Sequence, residues 1–323
     1  NSVLEGYCLM YRNNRFTRLT TAIILLFVSM CDVTVPLVSA SSVTAAEQPV
    51  LSFAVMSDIH IHKNNTEVHR RLTSALRDYG QINPQLDLIA INGDLTNGFP
   101  SHYDVLRRLL AETPHPPLHF TNGNHDFNKM LYNGDGKKDL KHLPNGWSSE
   151  KALALFKAFT GYDQPYHDVW VKGYHFIFLA NEKSRDHSRT IGKHGYLSKQ
   201  QLGWLQEKLA EQRDGERNPK FVFFHQPLPN TLSGSQKDVN IIQHGALRQI
   251  LKQYPEVIFF SGHTHYNLRK MEQMHFDTFL MLGSSSIMRH QESLYVEVYD
   301  DYINIHSRDH HLREWISGKS YRY

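Results

Sequence analysis

Short apolar runs of strand length recur along this chain, at residues 51–56, 86–91, 118–121, 221–224 and 257–260. Strands this predominantly apolar, alternating with helical segments, point to a layered α/β arrangement with both sheet faces covered. The intervening segments carry helical spacing. Val68, Leu72, Leu76 and Tyr79 recur on one face, with Gly80 as the expected stop. Ser101 and Asp104 open a second helix bearing Val105, Leu106, Leu109 and Leu110, closed by Pro114. Residues 149–159 and 245–253 are also predicted helical. Ser198 is read as an N-cap, with Gln201 completing a capping box and Leu197 stapled onto Leu202. Residues 166–171 and 174–180, joined at Lys172-Gly173, predict a hairpin, and 278–282, 294–299 and 302–306 predict further strands. The expected fold class is α/β (α+β), one domain, more antiparallel towards its end.

The five apolar strands share a second property: each ends in residues able to bind metal. Ser57-Asp58-Ile59-His60 follows the first, Asn92-Gly93-Asp94 the second and Asn122-Gly123-Asn124-His125-Asp126 the third. His225 follows the fourth, and Ser261-Gly262-His263-Thr264-His265 the fifth. Any one of these is weak, because a strand-terminal Asp or Asn is usually a turn former. Ligands of open α/β sheets gather beyond the carboxyl ends of the strands, so together the clusters converge on one rim.

The ordered set Asp58-x-His60, Gly93-Asp94, Gly123-Asn124-His125-Asp126, His225 and Gly262-His263-x-His265 resembles the calcineurin-like metallophosphoesterase superfamily. Within it, the pattern is most similar to the bacterial branch that includes class III cyclic-nucleotide phosphodiesterases. The resemblance covers Asp58 to His265, and the surrounding strands extend it over most of 50–307. It implies a four-layer αββα sandwich holding two divalent metal ions at the strand ends. One ion would take Asp58, His60, Asp94 and His265; the other would take Asp94 as bridge, Asn124, His225 and His263. His125 would face the substrate. Purple acid phosphatases place a tyrosine three residues after the bridging Asp, where this chain has Asn97. The protein Ser/Thr phosphatases have Gly-Asn-His-Glu and an Asp-Arg-Gly segment, where this chain has Asp126 and Leu95-Thr96-Asn97-Gly98.

The chemistry gives these residue types a reason. Two cations neutralise a phosphoester that would otherwise repel hydroxide, and they lower the pKa of a shared water towards neutrality. Asp94 is suited to bridging because a carboxylate has two oxygens, and the four ligand histidines favour Mn, Fe, Zn or Ni over Ca or Mg. His125 would stabilise the phosphoryl group or act as general acid. Asp126 is read as orienting His125, with capping of the next turn as the alternative. Ser57, Asn92 and Thr264 are candidates for supporting the ligands. The expected activity is hydrolysis of a small phosphoester, a diester ahead of a monoester. The alternative is a catalytically silent metal-binding or scaffold protein on the same fold, which should have lost a ligand or His125.

Before the domain, Arg12, Arg15 and Arg18 precede an apolar run from Leu19 to Met30, and Val38-Ser39-Ala40 offers a cleavage site. This predicts a signal peptide over 1–40, a linker over 41–49, the domain over 50–308 and a tail over 309–323. The protein is accordingly expected outside the cytoplasm, with an uncleaved anchor as the alternative. Cys8 and Cys31 both lie in the leader, so the rest of the chain has neither a disulfide framework nor a thiolate metal site. A net charge of +3 and the lack of a basic aromatic groove argue against a stable nucleic-acid partner. Specificity is expected in the loops 127–144 and 226–240, the second offering Ser233, Ser235 and Lys237 to a substrate's distal group, with a solvated loop as the alternative. Residues 133–138 are read as a surface loop, His62 as near the pocket or exposed, and His310 and His311 have no evident partner.

Overall fold

The computed structural model describes residues 47–212, 218–236, 240–269 and 273–323. The expected leader and most of its linker lie outside the described residues. Residues Glu47–Tyr323 form one compact unit. The chain runs β1 (Leu51–Met56), α1 (Thr66–Ile82), β2 (Leu88–Asn92), α2 (Pro100–Glu112), β3 (Leu118–Thr121), a 3-10 helix at Asn124–Leu131 and α3 (Ser149–Thr160). It continues with β4 (His167–Val171), β5 (Tyr174–Phe178), α4 (Lys199–Ala210), β6 (Lys220–Phe223), α5 (His244–Leu251) and β7 (Val257–Ser261). Then follow β8 (Met274–Phe276), β9 (Leu280–Gly283), α6 (Ile287–His290), β10 (Glu292–Val298), β11 (Tyr302–Asp309) and β12 (Glu314–Arg322).

Two six-stranded sheets result, ordered β12-β11-β10-β1-β2-β3 and β4-β5-β6-β7-β9-β8. β1-β2-β3 are mutually parallel, as are β5-β6-β7-β9, with antiparallel strands outside them. Alternation along β1 shows how the layers are assembled. Leu51, Phe53 and Val55 face the second sheet, while Ala54 and Met56 face the helices α1 and α2. Phe53 inserts among Phe176, Phe221 and Phe260 of the opposite sheet, with ring centroids 5.0, 4.7 and 5.9 Å away. α4 and α5 cover the far side of the second sheet through Leu205, Leu209, Leu247 and Leu251. The order is helices, sheet, sheet, helices, as expected for the αββα sandwich.

Several local expectations are corrected. α1 does not stop at Gly80; it continues to Ile82, and Asn83 takes an extended backbone ahead of Pro84. Proline drives its predecessor out of the helical region, and this outweighs the glycine signal. Ser198 does cap α4, but Gln201 does not close the box: Glu182 accepts from the Ser198 N–H instead, and Gln201 bonds Ala180 and Glu182. Most of the tail expected at 309–323 is β12, Glu314–Arg322, which pairs antiparallel with β11 as the outer strand of the first sheet. Its pattern is polar because it is an exposed edge; Trp315 packs 5.5 Å from Tyr295 and anchors it. Loop 127–144 is not all surface. Phe127, Met130 and Leu131 pack with Ala152 and Trp147 into a small core of their own, and residues 133–138 remain a mostly exposed turn.

Candidate metal centre

The parallel strands β1, β2, β3, β6 and β7 end together, and each delivers its polar cluster to that rim. The ligand atoms of Asp58, His60, Asp94 and His265 lie within 4.8 Å of one another, as do those of Asp94, His225 and His263. Asp94 belongs to both groups, the placement a shared ligand requires. Its Oδ2 is 3.6 Å from His60 Nε2 and 3.2 Å from His225 Nε2. Asp58 Oδ1 is 2.6 Å from His265 Nε2 and 3.8 Å from His225 Nε2. Asn124 lines the same cavity of about 330 Å³ with Asp94, His125, His263 and His265.

The backbone makes this crowding at a cost. Asp58, His60, Asp94, His263 and His265 all have positive φ, between 44 and 66°. Non-glycine residues avoid that region, and strain of this kind collects where surrounding structure enforces a functional geometry. Gly93 has φ +84°, and a Cβ there would fall 2.5 Å from the His225 ring. A Cβ on Gly262 would fall 1.8 Å from Ser57 Oγ. These glycines admit the neighbouring side chains as well as the turn.

The donor chemistry fits cations. His225 is fully buried; its Nδ1 donates to the Asn92 carbonyl at 2.8 Å, leaving Nε2 aimed between the two carboxylates without a hydrogen bond. Fixing one imidazole nitrogen in this way presents the other as a ligand. His60 Nε2 and His265 Nε2 face each other at 3.4 Å. Burial would depress the His225 imidazole, yet Asp94 and Asp58 outweigh it and raise the pKa to about 9. The same exchange, burial opposed by His265 and His225, holds the Asp58 carboxyl well below its usual range. The rim therefore favours positive charge. Burial, reinforced by His225, depresses His263 to about 3, leaving a neutral nitrogen donor.

Supporting residues divide as follows. Ser57 Oγ lies within hydrogen-bond reach of Asp58 Oδ2 and of the Asn92 carbonyl, its one proton serving either, and Asn92 Nδ2 donates to the Phe224 and Phe260 carbonyls, tying β2 to β6 and β7. For Thr264, the backbone N–H donates to the Gly262 carbonyl and shapes the His263–His265 turn. The expectation that Asp126 orients His125 is corrected. Its carboxylate accepts from the N–H groups of Leu95, Thr96 and Gly123 and from Tyr103 Oη, so the capping alternative holds. With the Thr96 hydroxyl, five donors surround the carboxylate and aim it at the two ligand loops. The His125 ring instead has Asn97 Oδ1 3.1 Å from its Nδ1. Asn97 was noted in the sequence only as a missing tyrosine; its closeness to His125 is a long-range fact with no local signature. Gln226 was also missed. Buried next to His225, it donates to Asn124 Oδ1 at 3.3 Å and to the Lys193 carbonyl at 3.1 Å.

The other expected loop contacts fall elsewhere. His62 packs on His102 at 4.3 Å between ring centroids. Ser235 is buried and bonds Leu232 and Thr231, which makes it part of the loop's own scaffold, and Lys237 lies outside the described residues. His310 is buried with Asp78 and Ser293 as partners, and the His311 N–H donates to Asp309. No helix among the described residues is long and apolar enough to cross a membrane.

Comparison with known proteins agrees with this geometry. A probable glycerophosphodiester phosphodiesterase GpdQ of Arcobacter nitrofigilis is 24% identical over 226 residues, 65% of this chain and 70% of that protein. The 3′,5′-cyclic adenosine monophosphate phosphodiesterase CpdA of Escherichia coli K12 is 27% identical over 219 residues, 67% of this chain and 66% of that one. Among solved structures, a dimetal phosphatase from Danio rerio superposes with a TM-score of 0.59 at 16% identity, covering 85% of this chain and 100% of its own. The yellow lupin purple acid phosphatase PPD1 gives a TM-score of 0.57 at 13% identity, covering 85% of this chain and 54% of its own. These two establish the shared fold. The model of the calcineurin-like phosphoesterase family matches residues 51–267, from the first strand through the last histidine pair, and the chain belongs to that family.

Proposed function

We propose that this protein is an exported, binuclear metal-dependent phosphodiesterase. The observation that carries the reading is Asp94 shared between two donor groups, with His125 open to the same cavity. Asp58, His60, Asp94 and His265 would hold one divalent cation, and Asp94, Asn124, His225 and His263 the other. When bound, the cations supply Lewis-acid charge to the phosphoryl oxygens and lower the pKa of a water. His125 Nε2 stands 3.9 Å from Asp94 Oδ2, at the edge of the donor cluster. In its protonated form the ring donates Nδ1–H to Asn97 Oδ1, which leaves Nε2–H to bond a phosphoryl oxygen or to protonate the leaving oxygen. The backbone N–H of His125 donates to Asp94 Oδ1 at 2.8 Å, which ties the main chain at His125 to the shared carboxylate.

The preference for a diester rests on the relatives' activities and on the absence here of the residues that mark the superfamily's protein phosphatases and purple acid phosphatases. Export rests on the basic and apolar residues 12–30 and the small residues at 38–40. The metal-loaded protein should hydrolyse bis(p-nitrophenyl) phosphate faster than p-nitrophenyl phosphate, and chelation should abolish both activities. A metal-loaded protein inert towards both esters would defeat the reading. Expression of the full chain in a bacterial host should place the protein outside the cytoplasm, and recovery from the cytosol alone would defeat export.

A further inference from the structure

The cavity beside the donor cluster has a second charged wall. Its described lining includes Arg185 and Lys193 with Gly192 between them in the chain, while Asp94, already committed to the donor cluster, is its single carboxylate. Arg185 is half-buried, and its guanidinium nitrogens lie 3.7 and 3.8 Å from where a Gly192 Cβ would sit. The segment is held firmly on both sides of the arginine. Ser184 N–H donates to Ser149 Oγ at 2.9 Å, and the Asp186 carboxylate accepts from Ser149 N–H at 2.7 Å and from its hydroxyl. The Lys193 end is tied to Asn124 through Gln226.

We propose that Arg185 recognises a second anionic group on the substrate, so that this site takes phosphoesters carrying a further oxyanion, carboxylate or phosphate, a few bonds from the scissile phosphorus. The proposal rests on the phosphoesterase reading of the same cavity. A guanidinium presents a planar fork of donors matched to an oxyanion, and its bonds to an anion are among the stronger ones in proteins. Anchoring the backbone on both sides lowers the ordering cost of that contact. The donor cluster and Arg185 thus divide the work: the first holds the reacting phosphate, the second selects what is attached to it.

The test compares two ligands that differ only in the second charge. Calorimetry on the metal-loaded full chain should show 3-phosphonopropionate binding about tenfold more tightly than propylphosphonate. Arg185→Gln should bring the two within about twofold, and Arg185→Lys should retain part of the difference. Metal content should be unchanged in both variants. Equal affinity of the wild type for the two ligands would overturn the proposal, as would a uniform weakening of both by Arg185→Gln. p-Nitrophenyl diesters with ethyl and 2-carboxyethyl tails should show the same preference in kcat/KM. A protein that binds 3-phosphonopropionate through Arg185 but cleaves neither diester would keep this site and remove the phosphoesterase reading.

Discussion

Near the end of α1, Asp78 accepts from Arg308 Nε at 2.9 Å, Arg308 Nη2 at 2.8 Å and His310 Nδ1 at 2.8 Å. His310 continues through Ser293 to Tyr79, and the chain of bonds closes. At the rim, Asp58 and Asp94 are as deeply buried, but His225 Nε2 has no hydrogen bond and five backbone positions sit at positive φ. Both clusters pair carboxylates with histidines. The first is satisfied within the chain and stabilises the join between α1, β10 and β11. The second is strained, crowded and incomplete, as expected of a site whose partners are supplied from outside. Burial and charge type do not separate these two clusters; the positive φ at five ligand positions does.

That contrast can be broken by experiment. Asp94→Asn should lower kcat/KM by on the order of 10³-fold or more and cut bound metal, read by elemental analysis. Full metal content in that variant would show that Asp94 is not a shared ligand. His125→Ala should reduce kcat by about 10² to 10⁴-fold, read by steady-state kinetics, while metal content by elemental analysis stays constant. Loss of metal in proportion to activity would make His125 a ligand.

Asp78→Asn should have the opposite signature. It leaves Arg308 with a weakened partner in the interior and should cost about 3 kcal/mol in urea unfolding, with kcat within about twofold of wild type. The smallest effect is on pH. Burial would raise the Asp78 carboxyl, but Arg308 and His310 bring it down to about 2, from 3.8. Because the folded-state pKa is depressed, the ionised form contributes stability above pH 3.8, and that contribution disappears as pH falls through about 2. The stability gap between wild type and Asp78→Asn should therefore shrink by about 2 kcal/mol between pH 5 and pH 2. A gap independent of pH would mean that the Asp78 charge is not what holds this join.

The seven proposed ligands were legible because each follows its strand within a few residues, and a parallel sheet brings strand ends to one edge. Periodicity alone also indicated the apolar strands and the faces of α1 and α2, since side-chain direction in a strand or helix is a local property. The residues that support the ligands were not legible in this way. Asn97, Asp126 and Gln226 carry no periodic or spacing signal, and their roles depend on which loops meet at the rim. Arg185 lies 60 residues beyond His125 in the chain, and only the folding of its loop over the same cavity relates the two. β12 escaped for a related reason: an edge strand is specified by backbone bonds to its neighbour, which leave its side chains free to be polar. Strand and ligand identity were thus set by local chemistry in the sequence. Tertiary structure alone decided which polar groups complete one another, because hydrogen-bond partners far apart in the chain are chosen by proximity after packing.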